Sequence, residues 1–219
     1  MDETLGARVL SDLRRQLITG LLAPGDRLSL RSVAEQQRTS MQPVRDAVAR
    51  LVAERALEVT PKRAVQVPLL SAPRFAELTA IRLAIEGFAV EQAAHRRGGG
   101  ERAALRRHEA AFRRQGGRAM PDLDAAIVAN AKLHFAVYRA AGMPSLTAII
   151  EGLWLRIGPV LNLDMRAGGR LESGVALRCH ADLIAAIEDG DAATARAALH
   201  EDISSTAAFI AGRGILPSR

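Results

Sequence analysis

Hydrophobic positions recur at helical spacing through most of the chain. Val9, Leu10, Leu13, Leu17 and Leu21 mark one face of a helix predicted over about residues 4–19. Gly20 stops it, and Pro24-Gly25-Asp26 makes a turn. A short helix follows over about residues 31–37, with Val33 and Ala34 inward. Arg38-Thr39-Ser40 is a tight connection, and Ser40 is a good N-cap for a third helix. Pro43 is tolerated in its first turn. Val44, Ala47, Val48 and Leu51 form its buried face, and it ends near Glu54. The pattern then changes. Leu57-Glu58-Val59-Thr60 and Ala64-Val65-Gln66-Val67 are β-branched stretches separated by Pro61-Lys62-Arg63, which reads as a hairpin with a basic tip.

A break falls near residues 68–73, and beyond it the chain is helical almost to the end. Six helices are expected, over 73–97, 101–116, 121–141, 144–163, 173–189 and 191–211. Their stops are Gly98-Gly99-Gly100, Gly116-Gly117, Gly142 to Pro144, Gly168-Gly169 and Gly190. The expected fold is mainly α. A winged helix-turn-helix (three helices plus a β-hairpin) occupies 1–70, and an all-α helical bundle occupies 74–215. No repeat of 20–50 residues is visible.

Composition narrows the classes. The 219 residues are 48% hydrophobic, 25% charged and 3% aromatic, an ordinary globular make-up whose core is more easily built from packed helices than from a β-sandwich. The one cysteine, Cys179, excludes an intramolecular disulfide and any CxxC zinc site, and points to a reducing compartment. No apolar run approaches the ~20 residues that cross a bilayer. Met1-Asp2-Glu3 is acidic where a signal peptide is basic. The expectation is a soluble, cytoplasmic protein with no membrane partner. The net charge of +6 is carried almost wholly by arginine, with Lys62 and Lys132 the only lysines. Arginine suits phosphate and carboxylate recognition, but an arginine excess also follows from genome base composition. The densest run, from Arg96 to Arg118, lies outside the helix-turn-helix and reads as a solvated helix face.

Candidate chemistry falls in two places. The third helix has an apolar inner face, so Met41, Gln42, Arg45, Asp46 and Ala49 are free to enter a major groove. Arg45 suits a bidentate bond to guanine or a phosphate clamp, and Gln42 suits adenine. Ser40 and the helix N-terminus suit a backbone phosphate. Arg31 opens the preceding helix near the same backbone, and Lys62 and Arg63 reach out from the wing. Tri-helical units also occur as plain scaffolds, so the geometry alone leaves that alternative open. In the second half, polar residues sit on apolar stripes. Asn130 and His134 share a face with Ile127, Val137 and Ala141, His180 with Leu177, Ile184 and Ile187, and Asp202 with Ala195, Leu199, Thr206 and Phe209. Buried imidazoles and carboxylates are costly unless paired or metal-bound. Two histidines with oxygen ligands suit a divalent transition metal of the Zn, Ni or Mn class. A hydrogen-bonded core is the alternative. His200 and His95 read as surface residues, His108 as structural, and Trp154 as packing.

The run Gly20-Leu-Leu-Ala-Pro24-Gly25-Asp26-Arg27-Leu28 resembles the opening of the GntR superfamily of bacterial regulators. So does Ser40-Met-Gln-Pro43-Val44-Arg45-Asp-Ala47-Val-Ala-Arg-Leu51, and residues 56–67 resemble that family's wing. The resemblance implies that Arg31 and Arg45 contact DNA and that the wing tip enters a minor groove. Three positions depart from the family pattern: Met41 replaces a usual Arg, Ala64 a usual Gly at the hairpin tip, and Arg38 a common Gly. The loss of a groove arginine implies a shifted base preference.

Ile81-Arg82-Leu83-Ala-Ile-Glu86, Asn130-Ala-Lys-Leu-His134-Phe and Cys179-His180 with Ala185 to Asp191 resemble the FCD domain, the effector domain of the FadR subfamily. That resemblance implies a metal site of one Asp and three His. Carried across, the Asp position is Asn130, and the His positions are His134, His180 and Asp202. It also implies a small carboxylate effector, for which Arg82 and Arg156 are candidates, with Arg82 pairing to Glu86 as the competing role. By the same resemblance the protein is a homodimer that binds a roughly palindromic double-stranded DNA operator. It is not an enzyme in this reading. A regulator with a metal-free effector pocket is one rival. A metal-dependent hydrolase is another, and it lacks a free carboxylate base.

Overall fold

The computed structural model describes residues 4–96, 98–116, 118–167, 171 and 173–218, apart from the side chain of Asp164. The predicted stop at Gly168-Gly169 therefore lies outside the described residues, as do Met1-Asp2-Glu3, Arg97 and Gly117.

The head begins with α1 (Leu5–Ile18), capped by the Thr4 hydroxyl, which accepts from the Ala7 N–H at 3.2 Å. Strand β1 (Arg27–Leu28) follows, then α2 (Leu30–Gln36), capped in the same way by Ser29, and α3 (Met41–Ala53). Strands β2 (Glu58–Val59) and β3 (Val65–Gln66) make the wing. The sheet order is β1-β3-β2, all antiparallel, with Arg27 opposite Gln66 and Glu58 opposite Gln66. The hairpin is as the alternation predicts, but β1 is an addition. Two residues carry no visible alternation, and their partner lies far along the chain. Leu21 is not on the α1 face: it follows the helix and is exposed. Val9, Leu13, Leu17, Val44, Val48, Leu51, Leu57 and Val65 close the head core.

The body consists of six described helices: α4 (Ala72–Arg96), α5 (Gly99–Gly116), α6 (Leu123–Ala140), α7 (Pro144–Arg166), α8 (Val175–Asp189) and α9 (Ala192–Gly212). Gly99 and Gly100 lie inside the first turn of α5 rather than in a break. Asp122 and Asp191 cap α6 and α9. Helix α7 runs through the middle of the bundle. Its segment Pro144–Leu163 is long and apolar enough to cross a bilayer, contrary to the expectation that no such run exists. It is a core helix here, with 56% of its most apolar window buried.

The same helix carries the head. Leu155 completes the head core, and Asn162 Nδ2 donates to the Ile18 carbonyl at 3.0 Å. Gly158 lets the backbones touch, since a Cβ there would lie 2.8 Å from the Leu17 carbonyl oxygen. Gly20, at φ 62°, turns the chain away directly over Asn162. Arg14 spans the joint, with one nitrogen on Glu54 of the head at 2.6 Å and another on Glu151 of α7 at 2.9 Å.

Candidate DNA-reading face and metal centre

Helix α3 presents Gln42, Arg45, Asp46 and Ala49 outward, while Met41 is half-buried against the head core. Arg45 is exposed and makes no ion pair among the described residues. Gln42 lies along the helix, donating from Nε2 to Asp46 Oδ1 at 2.8 Å. Arg31 is bound to Glu35 one turn on, at 3.0 Å, with its side chain 86% exposed. Such an exposed pair is weak and readily exchanged for a phosphate. Ser40 holds the N-cap position of α3 without a side-chain bond to the helix. Its hydroxyl therefore stands beside the unsatisfied first-turn N–H groups, an arrangement suited to an anion. Lys62 and Arg63 are exposed at the wing tip. The left-handed residue there is Arg63, at φ 61°, not Ala64, and Arg38 takes φ 50° in the turn between α2 and α3. Both are strained conformations for a residue with a Cβ.

In the body, α6, α8 and α9 bring His134, His180 and Asp202 together, all buried. The two Nε2 atoms are 3.2 Å apart, and they lie 3.4 Å from Asp202 Oδ2 and 3.6 Å from Asp202 Oδ1, respectively. Asn130 does not join this trio by any close contact. It is half-buried on the wall of a small adjoining cavity of about 30 Å³, shared with Arg82, His134, Trp154 and Asp202. A space of that size holds a water or the tip of a carboxylate.

Behind His134 runs a buried polar chain. Glu86 accepts from Tyr138 Oη at 2.6 Å, from Trp154 Nε1 at 3.2 Å and from Arg82 Nε at 2.6 Å. Burial, and then the Glu86 carboxylate, push the Tyr138 phenol well above its ordinary value, so it stays protonated. Its proton goes to Glu86. Its oxygen then receives the proton of His134 Nδ1, 3.1 Å away. With Nδ1 engaged by Tyr138, Nε2 is the nitrogen of His134 that faces His180 and Asp202. Burial is the largest influence and acts to lower the Arg82 value, but the charge and hydrogen bonds of Glu86, with Tyr138 and Asp202, together outweigh it and the net shift is upward. Arg82 also lies 5.1 Å over the Trp154 ring, which stands 5.3 Å from the His134 ring.

Some sequence expectations change here. Arg156 does not meet Arg82. It lines a separate cavity between head and body with Arg55 and Arg74, because it projects from α7 toward the wing. Burial, then Arg74 and Arg55, hold its value below the ordinary one. His200 is not a surface residue. It is half-buried where α9 packs on α4, with Nε2 2.9 Å from the Leu83 carbonyl, because α9 is covered on more than one face. Trp154 packs, but it also donates to Glu86. The stripe pattern overlooks Tyr138. Its i,i+4 spacing from His134 is the signal that finds it.

Comparison with known proteins gives concordant matches. A model of the family "Bacterial regulatory proteins, gntR family" matches residues 5–67, and a model of the FCD domain matches residues 77–205. The HTH-type transcriptional regulator McbR of Escherichia coli strain K12 is 32% identical over 207 residues, covering 94% of this chain and 93% of the relative. The solved structure of E. coli McbR/YncC superimposes with a TM-score of 0.89 at 30% identity, covering 97% of this chain and all of that one. A GntR transcriptional regulator from Rhodococcus sp. RHA1 shares the fold, with a TM-score of 0.75 at 20% identity, covering 94% and 97% of the two chains.

Proposed function

Because the chain belongs to the GntR family of bacterial DNA-binding transcription regulators and carries an FCD domain, we propose that it holds a divalent transition metal on His134, His180 and Asp202. One observation carries this reading. Ligands around a tetrahedral metal at 2.0–2.2 Å lie roughly 3.3 Å from one another. The two imidazole nitrogens stand 3.2 Å apart, each faces its own Asp202 oxygen at 3.4 and 3.6 Å, and one ligand atom from each residue lies within 4.8 Å of the others, close enough to converge on one ion. Nε2 of His134 already faces inward, with the ring held by Tyr138 and Glu86, an outer-shell support typical of metal histidines. The metal would supply positive charge for an oxygen of a small carboxylate effector entering beside Asn130 and Arg82. Arg156 takes no part.

The head, residues 1–70, reads a roughly palindromic operator as one half of a homodimer, and the body, 74–215, holds effector and dimer contacts. Arg45 contacts a base edge, Gln42 joins it once released from Asp46, Arg31 and Ser40 hold backbone phosphate, and Lys62 and Arg63 reach the flanking groove. The effector acts by binding one head arrangement more tightly than another. The site of action is the cytoplasm. Elemental analysis of the purified full-length protein tests the metal. About one divalent ion per chain, lost in His180→Ala, is the expected result. No stoichiometric metal, with no uptake of added Zn²⁺, Ni²⁺ or Mn²⁺, overturns it.

A further inference from the structure

A cavity of about 570 Å³ lies at the joint between head and body, and it shares no lining residue with the small cavity beside His134. One wall is α1, through Ala7, Leu10 and Ser11; the other is α5 and α6, through His108, Val128 and Lys132. Its floor is apolar, built by Leu10, Ile18, Val128 and Phe135, of which Phe135 is buried. Its rim is cationic. Arg50, Lys132 and Arg139 line it, all exposed and with no ion pair among the described residues. Arg139 lies 5.8 Å over the Phe135 ring. Glu151 is the one carboxylate on the lining, and it is held by Arg14. Burial, followed by Arg107, Lys132 and Arg139, holds the His108 imidazole below its ordinary value.

We propose that this joint cavity binds an amphiphilic organic anion, an aromatic or medium-chain carboxylate, and that the bound anion ties α1 to the body. The volume falls within the usual range for small-ligand sites, and an apolar floor under a cationic rim matches a ring or chain ending in a carboxylate. The mechanical setting gives the site a consequence. Helix α1 is pinned at its C-terminal end by Asn162 and Gly158, whereas Ala7, Leu10 and Ser11 face the cavity. An occupant would fasten that unpinned stretch, and α1 packs directly on the DNA-reading α3. The proposal does not depend on a metal at His134.

Isothermal titration of the full-length protein with 2-naphthoate, and with uncharged 2-naphthamide, tests it. Binding of 2-naphthoate at about one per chain is expected, at least tenfold tighter than the amide. The Lys132→Gln/Arg139→Gln variant, altered at two exposed positions, should weaken binding at least tenfold. Ser11→Glu, which brings a negative charge from the head side, should do the same, while His180→Ala should leave affinity unchanged. Hydrogen exchange of residues 5–14 should slow on binding. Absence of binding, equal affinity for the amide, or indifference to the rim variants overturns the site. Loss of binding in His180→Ala alone assigns the probe to the histidine cavity and also overturns it. Unchanged exchange in α1 overturns the tie.

Discussion

The head and the body handle charge in opposite ways. In the head, Arg31, Arg45, Lys62 and Arg63 stand in solvent, and the nearest acids hold them loosely or not at all. In the body, Arg82, Glu86, His134, His180 and Asp202 are all buried, and each carboxylate or ring serves several partners. Exposed cations contribute little to folding and remain available to an external polyanion. Buried ones cost several kcal/mol to desolvate, so they persist only where geometry satisfies them fully. The contrast separates a cationic surface open to solvent from an enclosed polar centre.

The comparison breaks first at Glu86. Glu86→Ala strands Arg82 and removes the acceptor of Tyr138 and Trp154, so chemical denaturation should show a loss of about 3–5 kcal/mol. Glu35→Ala, which removes the exposed partner of Arg31, should cost no more than about 0.5 kcal/mol. Equal losses would erase the distinction between the two regions.

Next comes Tyr138→Phe, which keeps the ring but frees His134 Nδ1. Competition with a chelating dye should show metal affinity falling about 10- to 100-fold. An unchanged affinity would show that the polar chain behind His134 serves folding alone.

In the head, Arg45→Ala should cost about 1–3 kcal/mol on selected operator DNA and relax preference at one base pair, as read by fluorescence anisotropy across single-base variants. Lys62→Ala should weaken all sequences alike and lower the slope of log K against log salt by about one. If Lys62 alters sequence preference instead, the wing reads bases rather than backbone.

The smallest effect concerns His108. Its folded value lies below the ordinary value of a free imidazole, so the unfolded chain binds the proton first. Stability should therefore fall as pH drops through about 6.5 and below, and His108→Gln should flatten that part of the profile. A profile that His108→Gln leaves unchanged would show that burial and the neighbouring cations do not hold this imidazole below its ordinary value.

Helical periodicity and turn residues made the nine described helices and the wing readable along the chain, because each depends on neighbours within a turn or two. β1 was not readable: Arg27 and Leu28 are extended because β3 lies beside them. In the body, Asn130, His134, His180 and Asp202 could be placed on apolar stripes, but stripes do not say which of them meet. Helix packing brought three together, with contacts of 3.2–3.6 Å, and left Asn130 on a cavity wall. It also sent Arg156 to the joint and half-buried His200 against Leu83, although each had looked suited to another place.

The sequence by itself determined the order of the helices and the wing, the outward face of α3 and the identity of the ligand-type side chains, since local backbone preference and burial period act over a few residues. The tertiary structure alone decided that Glu86 and Tyr138 orient His134, that Gly158 seats the head on α7, and that a cationic cavity opens under α1. Those features depend on distances between helices far apart in the chain, and those distances follow from how whole side chains pack rather than from any local pattern.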